Sequence, residues 1–212
     1  MRLLDLFCGA GGAAMGYHRA GFDEIWGVDI EPQPNYPFRF IQADAIEFLD
    51  AMIDGQEDIA FDLVHASPPC QLWSTSRHSN GHPDFIEPTR AALEMLEFLP
   101  HVIENVPGAP IRKDVILCGS MFGLDIKRHR VFETSFGSLL VPPCVHRWDD
   151  PDAPYLVAGH GGGWSLSHRN YRTFTHAREL MGMPWVTTRR ELTEAIPPAY
   201  TEYIGRAFLE QR

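Results

Sequence analysis

Cys70 occupies the position in this sequence that best suits covalent chemistry. It follows the apolar segment 61–66 and two prolines, Pro68 and Pro69. The apolar segment is typical of a buried strand in a parallel sheet, and the prolines end that strand abruptly. Because residues just beyond a strand's carboxyl end face the ligand crevice of such a sheet, Cys70 is a candidate nucleophile. The alternative is a buried thiol that acts as a small hydrophobic side chain.

Glu104 is a candidate proton donor. It lies at the end of a second apolar segment, which begins at residue 100. Burial at such a position raises the pKa of a carboxyl group, which suits a residue that shares or donates a proton near neutral pH. The alternative is a structural acid whose oxygens are satisfied by neighbouring N–H groups.

Arg128 and Arg130 belong to the basic run 127–130 at the entrance to a later predicted strand. Alternate side chains of a strand point to opposite faces, so one arginine can face a substrate while the other braces the site. The alternative is a run of charges on a solvated surface.

The first fifty residues contain polar groups at three predicted strand ends. An apolar strand over 3–8 turns through Gly9-Ala-Gly-Gly12 into a helix. Backbone N–H groups point outward at such a turn, so it can hold a cofactor, although a plain tight turn is equally compatible. The turn does not match the dinucleotide-binding pattern GxGxxG, so a dinucleotide is not the expected ligand. The next two strands end at Asp29 and Asp44, and paired carboxylates suit the hydroxyls and base of a nucleoside.

Length and composition predict one soluble domain, or one domain with a small appendage. The chain has 212 residues, of which 44% are hydrophobic, enough to bury an ordinary core. No stretch approaches the roughly 18 apolar residues of a membrane helix, and the first strand begins without a signal peptide. The four cysteines are widely spaced, so we expect a reducing, cytoplasmic setting rather than a disulfide framework.

The net charge of −10 argues at first against a polyanionic partner, but the charge is unevenly distributed. Residues 1–111 contain 5 arginines and 17 acidic residues, whereas residues 112–212 contain 13 lysines and arginines and 11 acidic residues. A local basic face on the second half could therefore still contact phosphates.

Residues 135–172 differ in character from the rest of the chain. Arginine, histidine and aromatic residues alternate there with glycine and proline, which could hold nucleic acid through phosphate contacts and stacking. Cys144 and His146 are spaced like a pair of metal ligands, but structural zinc takes four ligands and no second pair of matching quality is evident. We therefore expect no metal.

The polar segment 72–88 predicts a loop beside Cys70 that can close over a substrate.

Six motifs, taken in order, resemble those of the DNA (cytosine-5) methyltransferase family. They are found at residues 5–12, 69–71, 104–106, 128–130, 178–184 and 196–205. The resemblance covers nearly the whole chain and leaves mainly 135–172 without a counterpart. It departs from the family at Ile126, where glutamine is usual, and at 194–196, where asparagine normally precedes the two prolines. The segment that reads DNA sequence is generally far longer in the family, so recognition is expected to be short, degenerate or shared with 72–88.

The resemblance implies an α/β fold: a Rossmann-like, mostly parallel seven-stranded sheet flanked by helices, with the last helix near the first strand. Residues 1–134 would form the catalytic domain that binds S-adenosylmethionine. Residues 135–172 would form a small recognition insertion, and residues 173–212 would supply helices that complete the catalytic domain.

The resemblance also implies an activity and the residues responsible. Cys70 would attack C6 of a flipped-out cytosine, and Glu104 would bond N3 and the exocyclic amine of that base. Arg130 would orient the cytosine O2, while Arg128 braces the site. The glycine turn and Phe7 would hold the adenosyl and methionine parts of the cofactor, Asp29 the ribose and Asp44 the adenine. The cofactor residues together would be Asp5, Phe7, Gly9, Ala10, Gly11, Gly12, Asp29, Ile30, Asp44, Ala45 and Pro69.

The implied cofactor is S-adenosylmethionine, converted to S-adenosylhomocysteine, with no metal. The implied partner is DNA, in double-stranded form, bound by a monomer without membrane contact in a prokaryotic or phage-encoded restriction–modification setting. Two alternatives stay open. The same scaffold could methylate cytosine in tRNA, or it could bind DNA or cofactor without catalysis.

Overall fold

The computed structural model describes residues 1–56, 60–70, 72–73, 83–145 and 173–212. The expected substrate-closing loop at 72–88 and the expected insertion at 135–172 therefore lie largely outside the described residues. Among the helices of the described ranges, none combines the length and apolarity that crossing a membrane requires.

Seven strands of the described chain form one sheet, in the spatial order β3-β2-β1-β4-β5-β7-β6. Strand β7 is antiparallel to both of its neighbours, and the other pairs are parallel. The predicted mostly parallel, seven-stranded α/β fold is thus confirmed. The strands are β1 (Arg2–Leu6), β2 (Glu24–Asp29), β3 (Arg39–Gln42), β4 (Leu63–Ala66), β5 (His101–Asn105), β6 (Val115–Leu117) and β7 (Arg130–Thr134).

Six α-helices cover the sheet in the described part of the chain. They are α1 (Gly12–Ala20), α2 (Ala45–Ile53), α3 (Ile86–Met95), α4 (Phe174–Met181), α5 (Arg189–Glu194) and α6 (Pro198–Glu210). The Asp84 carboxylate accepts a hydrogen bond from the N–H of Ile86, the first residue of α3, at 2.9 Å. Helix α5 has no counterpart in the sequence prediction.

Helices α1 and α6 pack unusually closely, and this contact returns the C-terminal segment to the start of the chain. A Cβ atom placed on Gly16 would lie 2.0 Å from Thr201 Oγ1, and one on Gly205 would lie 2.8 Å from the Ala20 Cβ. The Thr201 hydroxyl donates to the Ala13 carbonyl at 2.8 Å. The last helix therefore packs on α1, the helix that follows β1, rather than on the strand itself.

The parallel register brings the ends of four strands to one edge of the sheet. Leu6 is paired with Val28 on one side and with Ala66 on the other, and Ala66 is paired with Ile103. The residues that follow β1, β2 and β4, together with the end of β5, therefore face the same crevice, where open α/β sheets bind ligands.

Candidate active site

The segment that carries Cys70 is fixed to the sheet edge by backbone contacts. The Ser67 N–H donates to the Leu6 carbonyl at 3.2 Å. Asn105, the last residue of β5, donates from Nδ2 to the Pro68 carbonyl at 2.9 Å. The stiff diproline segment is thus tied to β1 and β5, and it presents a half-buried Cys70 at the crevice.

Glu104 is buried at the end of β5, beside Arg130 at the start of β7. Arg130 Nε lies 2.9 Å from Glu104 Oε1, close enough for an ion pair. The alignment is too poor for a hydrogen bond, and no described residue donates one to Oε1. Burial raises the pKa of Glu104, although the charges of Arg130 and Arg128 and a hydrogen bond with Ser67 oppose the rise. Glu104 therefore keeps both an available oxygen and an increased affinity for a proton.

Cys70 experiences the same group of charges. Burial raises the pKa of its thiol, while the charge of Arg130 lowers it and the charge of Glu104 raises it. A thiolate is the nucleophilic form of cysteine, so this site must move a proton away from Cys70 before covalent addition. Glu104, whose pKa is raised, is placed to carry a proton in the same crevice.

The two predicted arginines have different contacts. Arg128 is buried, and its Nη2 donates to the carbonyls of Thr193 and Ala195, each at 2.6 Å. Its own carbonyl accepts a hydrogen bond from the Tyr200 hydroxyl at 2.6 Å. Arg128 lies before β7 rather than within it, yet its contacts fit the predicted bracing role. Arg130 instead reaches Glu104.

A buried hydrogen-bond chain behind Glu104 was not predicted from the sequence. The Tyr17 hydroxyl lies 3.1 Å from His65 Nδ1, and His65 Nε2 lies 2.9 Å from Ser67 Oγ. Ser67 in turn hydrogen-bonds Glu104 and lowers the pKa of that carboxyl group. Burial lowers the pKa of His65 to about 3, so its imidazole is neutral and can accept at one nitrogen while donating at the other.

The turn after β1 forms a strained cradle. Phe7 has a φ of 55°, a left-handed conformation that costs a residue with a side chain about 1–3 kcal/mol. Gly9 also has a positive φ of 47°, and a Cβ atom there would meet nothing within 4 Å. The loop therefore leaves open space beside its exposed backbone, as a ligand-binding turn requires.

Asp29 ends strand β2, as predicted, whereas Asp44 lies two residues beyond the end of β3, immediately before α2. Asp29 accepts hydrogen bonds from the Gly9 N–H on Oδ2 and from the Glu31 N–H on Oδ1, each at 3.0 Å. Asp44 caps helix α2, because its Oδ1 accepts from the Ile46 N–H at 2.8 Å. Each oxygen of a carboxylate has two lone pairs, so both residues can still accept from ligand hydroxyl or amine groups.

An apolar contact surface adjoins Asp29. Ile30 is 64% exposed, and it follows Asp29 directly at the end of β2. An aromatic base stacked on Ile30 would remove that apolar surface from water.

The other predicted cofactor residues lie mostly behind the cradle. Asp5 is fully buried, where the Tyr36 hydroxyl donates to its Oδ2 at 3.1 Å. Burial raises the pKa of this carboxyl group well above its usual value, although hydrogen bonds from Tyr36 and from the Ala14 backbone oppose the rise. Ala10 and Ala45 are buried, and Pro69 is half-buried. These positions shape the loop rather than offer side chains to its surface.

Gly11 and Gly12 are required by packing. A Cβ atom on Gly11 would lie 2.6 Å from Pro37, and one on Gly12 would lie 2.3 Å from the Ile196 carbonyl oxygen. The Trp185 indole donates to the Ala10 carbonyl at 2.8 Å, a contact that sequence reasoning did not find. The C-terminal segment therefore closes against the back of the cradle.

These groups fit S-adenosylmethionine better than a phosphate-rich cofactor. The open turn at Gly9 provides backbone groups, and Ile30 provides an apolar face for a base. The carboxylates of Asp29 and Asp44 can accept from hydroxyl and amine donors, and their negative charges disfavour phosphates.

Comparison with known proteins finds similarity to DNA methyltransferases. Residues 1–94 match the family model described as C-5 cytosine-specific DNA methylase. The type II methyltransferase M.AgeI of Thalassovita gelatinovora is 32% identical over 122 residues, which cover 51% of this chain and 28% of that protein. The type II methyltransferase M.AquIA of Picosynechococcus sp. is 31% identical over 126 residues, which cover 54% of this chain and 48% of that protein.

The matches thus span about half or less of the length of these curated relatives. A solved structure described as a candidate DNA modification methyltransferase encoded within an E. coli prophage superposes with a TM-score of 0.62. The superposition covers 99% of both chains at 17% identity, so it supports the fold alone. Over residues 1–94 the chain is therefore similar to C-5 cytosine-specific DNA methylases, and its matches to the two type II methyltransferases agree with that similarity.

Proposed function

We propose that this chain transfers the methyl group of S-adenosylmethionine to C5 of a flipped-out cytosine in double-stranded DNA. The observation that carries this proposal is the meeting of Cys70, Glu104 and Arg130 at one sheet edge. Arg130 lies 2.9 Å from Glu104, and both of their charges act on the Cys70 thiol. The match of residues 1–94 to the C-5 cytosine-specific DNA methylase model and the cradle beside the same edge support the proposal.

Cys70 supplies the covalent step. C5 of cytosine is a poor nucleophile, and addition of a thiolate to C6 makes C5 electron-rich. The sulfur forms a bond to C6 as the C5–C6 π electrons shift toward C5, which can then accept a methyl group. Loss of the C5 proton restores the double bond, and its electrons expel the thiolate of Cys70. S-adenosylmethionine, when bound, supplies the methyl group.

Glu104 and Arg130 stabilise the negative charge that this addition delivers to the ring. Protonated Glu104 donates to N3, and its other oxygen accepts from the exocyclic amine. Its raised pKa favours the protonated form that this role needs. Arg130, an ion-pair partner of Glu104, offers its remaining N–H groups to the cytosine O2.

Residues of the cradle hold the methyl donor next to this centre. Asp29 would accept from the ribose hydroxyls, Asp44 from the adenine amine, and Ile30 would cover the base. The backbone of the turn at Phe7 and Gly9 would hold the methionine part. A target base within a duplex is out of reach, so it must leave the helix at a cost of a few kcal/mol.

The decisive test is covalent trapping with DNA that contains 5-fluorocytosine, because fluorine at C5 blocks the last elimination. With cofactor present, wild-type protein should form an adduct, and Cys70→Ala should form none while binding the cofactor nearly as well. An adduct with Cys70→Ala, or no adduct with wild type that binds cofactor, would contradict the proposal. Tritium transfer from labelled cofactor to DNA and to tRNA, run in parallel, separates the two substrates.

A further inference from the structure

We propose that Cys118, His129 and Cys144 bind a zinc ion in a structural site. Cys118 directly follows β6, His129 directly precedes β7, and Cys144 lies near the end of the described segment after β7. Cys118 is buried, His129 is half-buried and Cys144 is exposed. The fold therefore assembles three metal-binding side chains from three separate parts of the chain.

The distances suit tetrahedral zinc. One ligand atom from each of the three residues lies within 4.8 Å of the others, and Cys144 Sγ is 3.3 Å from His129 Nε2. Bond lengths of about 2.3 Å to sulfur and about 2.0 Å to nitrogen, at tetrahedral angles, put sulfur and nitrogen ligands roughly 3.6 Å apart. The same geometry puts two sulfur ligands roughly 3.8 Å apart. An ion would therefore need small side-chain shifts and no movement of the sheet.

The ligand types select the metal. Two thiolates and an imidazole favour zinc over magnesium or calcium, which prefer oxygen ligands. The exposed Cys144 leaves one side of the cluster open to solvent, so an ion can enter and a fourth ligand can complete its coordination. His146, which the sequence pairs with Cys144, lies outside the described residues. The expectation of no metal rested on that single pair, because Cys118 and His129 are not close to it in sequence.

The position of the cluster indicates its role. His129 stands between Arg128 and Arg130, and the Arg130 Nη1 donates to the His129 carbonyl at 2.9 Å. Cys144 lies within residues 135–172, the part of the chain in which recognition is expected. A zinc ion would therefore fix the entrance to β7 and tie the start of residues 135–172 to the sheet, without contacting Glu104 or Cys70.

Metal analysis of the full chain tests this site. We expect about one zinc per chain in wild type and in the control Cys70→Ala, which loses a thiol elsewhere. Cys144→Ser, an exposed substitution that should leave the fold intact, and His129→Gln should each retain less than about a fifth of that zinc. Circular dichroism would confirm that the variants fold. Zinc-free wild type purified from zinc-supplemented cells would overturn the proposal.

Cobalt substitution gives an independent readout. Wild type loaded with Co²⁺ should show a thiolate-to-metal charge-transfer band and the strong visible bands of tetrahedral cobalt, displaced by one equivalent of zinc. Cys144→Ser should lose much of the charge-transfer intensity, and Cys70→Ala should keep it. Equal spectra for Cys144→Ser and wild type would also overturn the proposal, because the metal would then be bound elsewhere.

Discussion

Two glutamates are buried on the neighbouring strands β5 and β7, and their surroundings differ sharply. Glu104 is paired with Phe132 across the antiparallel ladder, and Ile103 is paired with Glu133. Successive side chains of a strand point to opposite faces, so the two carboxyl groups lie on opposite faces of the sheet. The same residue type thus meets two environments within one strand pair.

Glu133 is compensated from several directions. Arg90 donates to it from Nε at 3.0 Å and from Nη2 at 2.9 Å, and the Arg112 backbone N–H donates at 2.9 Å. The Arg112 guanidinium adds an ion pair at 3.0 Å. Burial raises the pKa of Glu133, but these donors outweigh it and hold that pKa below its usual value. Such a carboxylate stabilises the fold and stays ionised.

Glu104 is compensated less completely, with one ion pair to Arg130 and a hydrogen bond with Ser67. Its pKa is raised, so burial outweighs its partners. Burial alone therefore does not identify a functional acid. The number of donors around the carboxyl group separates a structural glutamate from one that can exchange a proton.

The largest expected effect follows from Glu104→Gln. The amide cannot protonate the ring nitrogen, so we expect methyl transfer to fall by about 10²–10⁴-fold, the usual contribution of a general acid. The fold should persist, because the substitution removes an incompletely compensated carboxyl group. Initial rates of tritium transfer and thermal melts measure the two effects. Near-normal activity in Glu104→Gln would assign the proton transfer to another group.

Glu133→Gln should produce the reverse pattern. Its removal leaves Arg90 and Arg112 without their shared anion, and we expect the free energy of unfolding to fall by about 2–3 kcal/mol. This is less than for a fully dry pair, because Arg112 is 55% exposed. Urea unfolding measures the loss, and the transfer rate per folded molecule should stay within about twofold of wild type. A large loss of rate without a loss of stability would show that Glu133, like Glu104, acts in catalysis.

Much of this contrast depends on information that the sequence does not display. Cys70 and Glu104 could be predicted because apolar runs end beside them, and strand ends of a parallel sheet share an edge. Glu133 sits inside a strand pattern, and its partners Arg90 and Arg112 come from segments that only tertiary packing brings together. The contact of Tyr17 with His65 likewise requires α1 to lie over β4.

Helix α5 was missed for a different reason. Its six residues bury one apolar side chain, Leu192, so no hydrophobic period is visible. Its start nevertheless carries a capping box, in which Thr188 accepts from the Glu191 N–H and Glu191 accepts from the Thr188 N–H. That Thr-x-x-Glu spacing was a local signal that could have predicted the helix.

The pH dependence of stability should distinguish the two glutamates by sign. The pKa of Glu104 is higher in the folded protein than in the unfolded chain, where it is near 4.5. Its contribution to the free energy of unfolding is therefore fully present below about pH 4.5 and is lost as the pH rises through the folded-state pKa. A lowered pKa makes the contribution of Glu133 present above about 4.5 and lost as the pH falls. Urea unfolding from about pH 3 to about pH 8 should therefore show Glu133→Gln losing to wild type as the pH rises toward 4.5, and Glu104→Gln gaining on wild type as the pH rises beyond it. If the free energies of unfolding of both variants changed with pH as that of wild type does, the two glutamates would not differ in the direction of their pKa shifts.

The smallest expected effect concerns Ser67, the residue that keeps Glu104 from an even higher pKa. The active form has a Cys70 thiolate and a protonated Glu104, so the two residues together hold one proton. At low pH they hold two protons, and the rate rises with pH as the first of these is lost, mainly from Glu104. The Ser67 hydroxyl lowers the pKa of Glu104, so Ser67→Ala should move this acid limb to higher pH. The rate on the plateau above this limb should rise by about two- to tenfold, the worth of one hydrogen bond, because a higher Glu104 pKa enlarges the share of the form in which Cys70 is a thiolate and Glu104 is protonated. Ser67→Thr retains the hydroxyl and should restore the wild-type limb. An unmoved limb in Ser67→Ala would show that the hydrogen-bond chain through His65 does not tune Glu104.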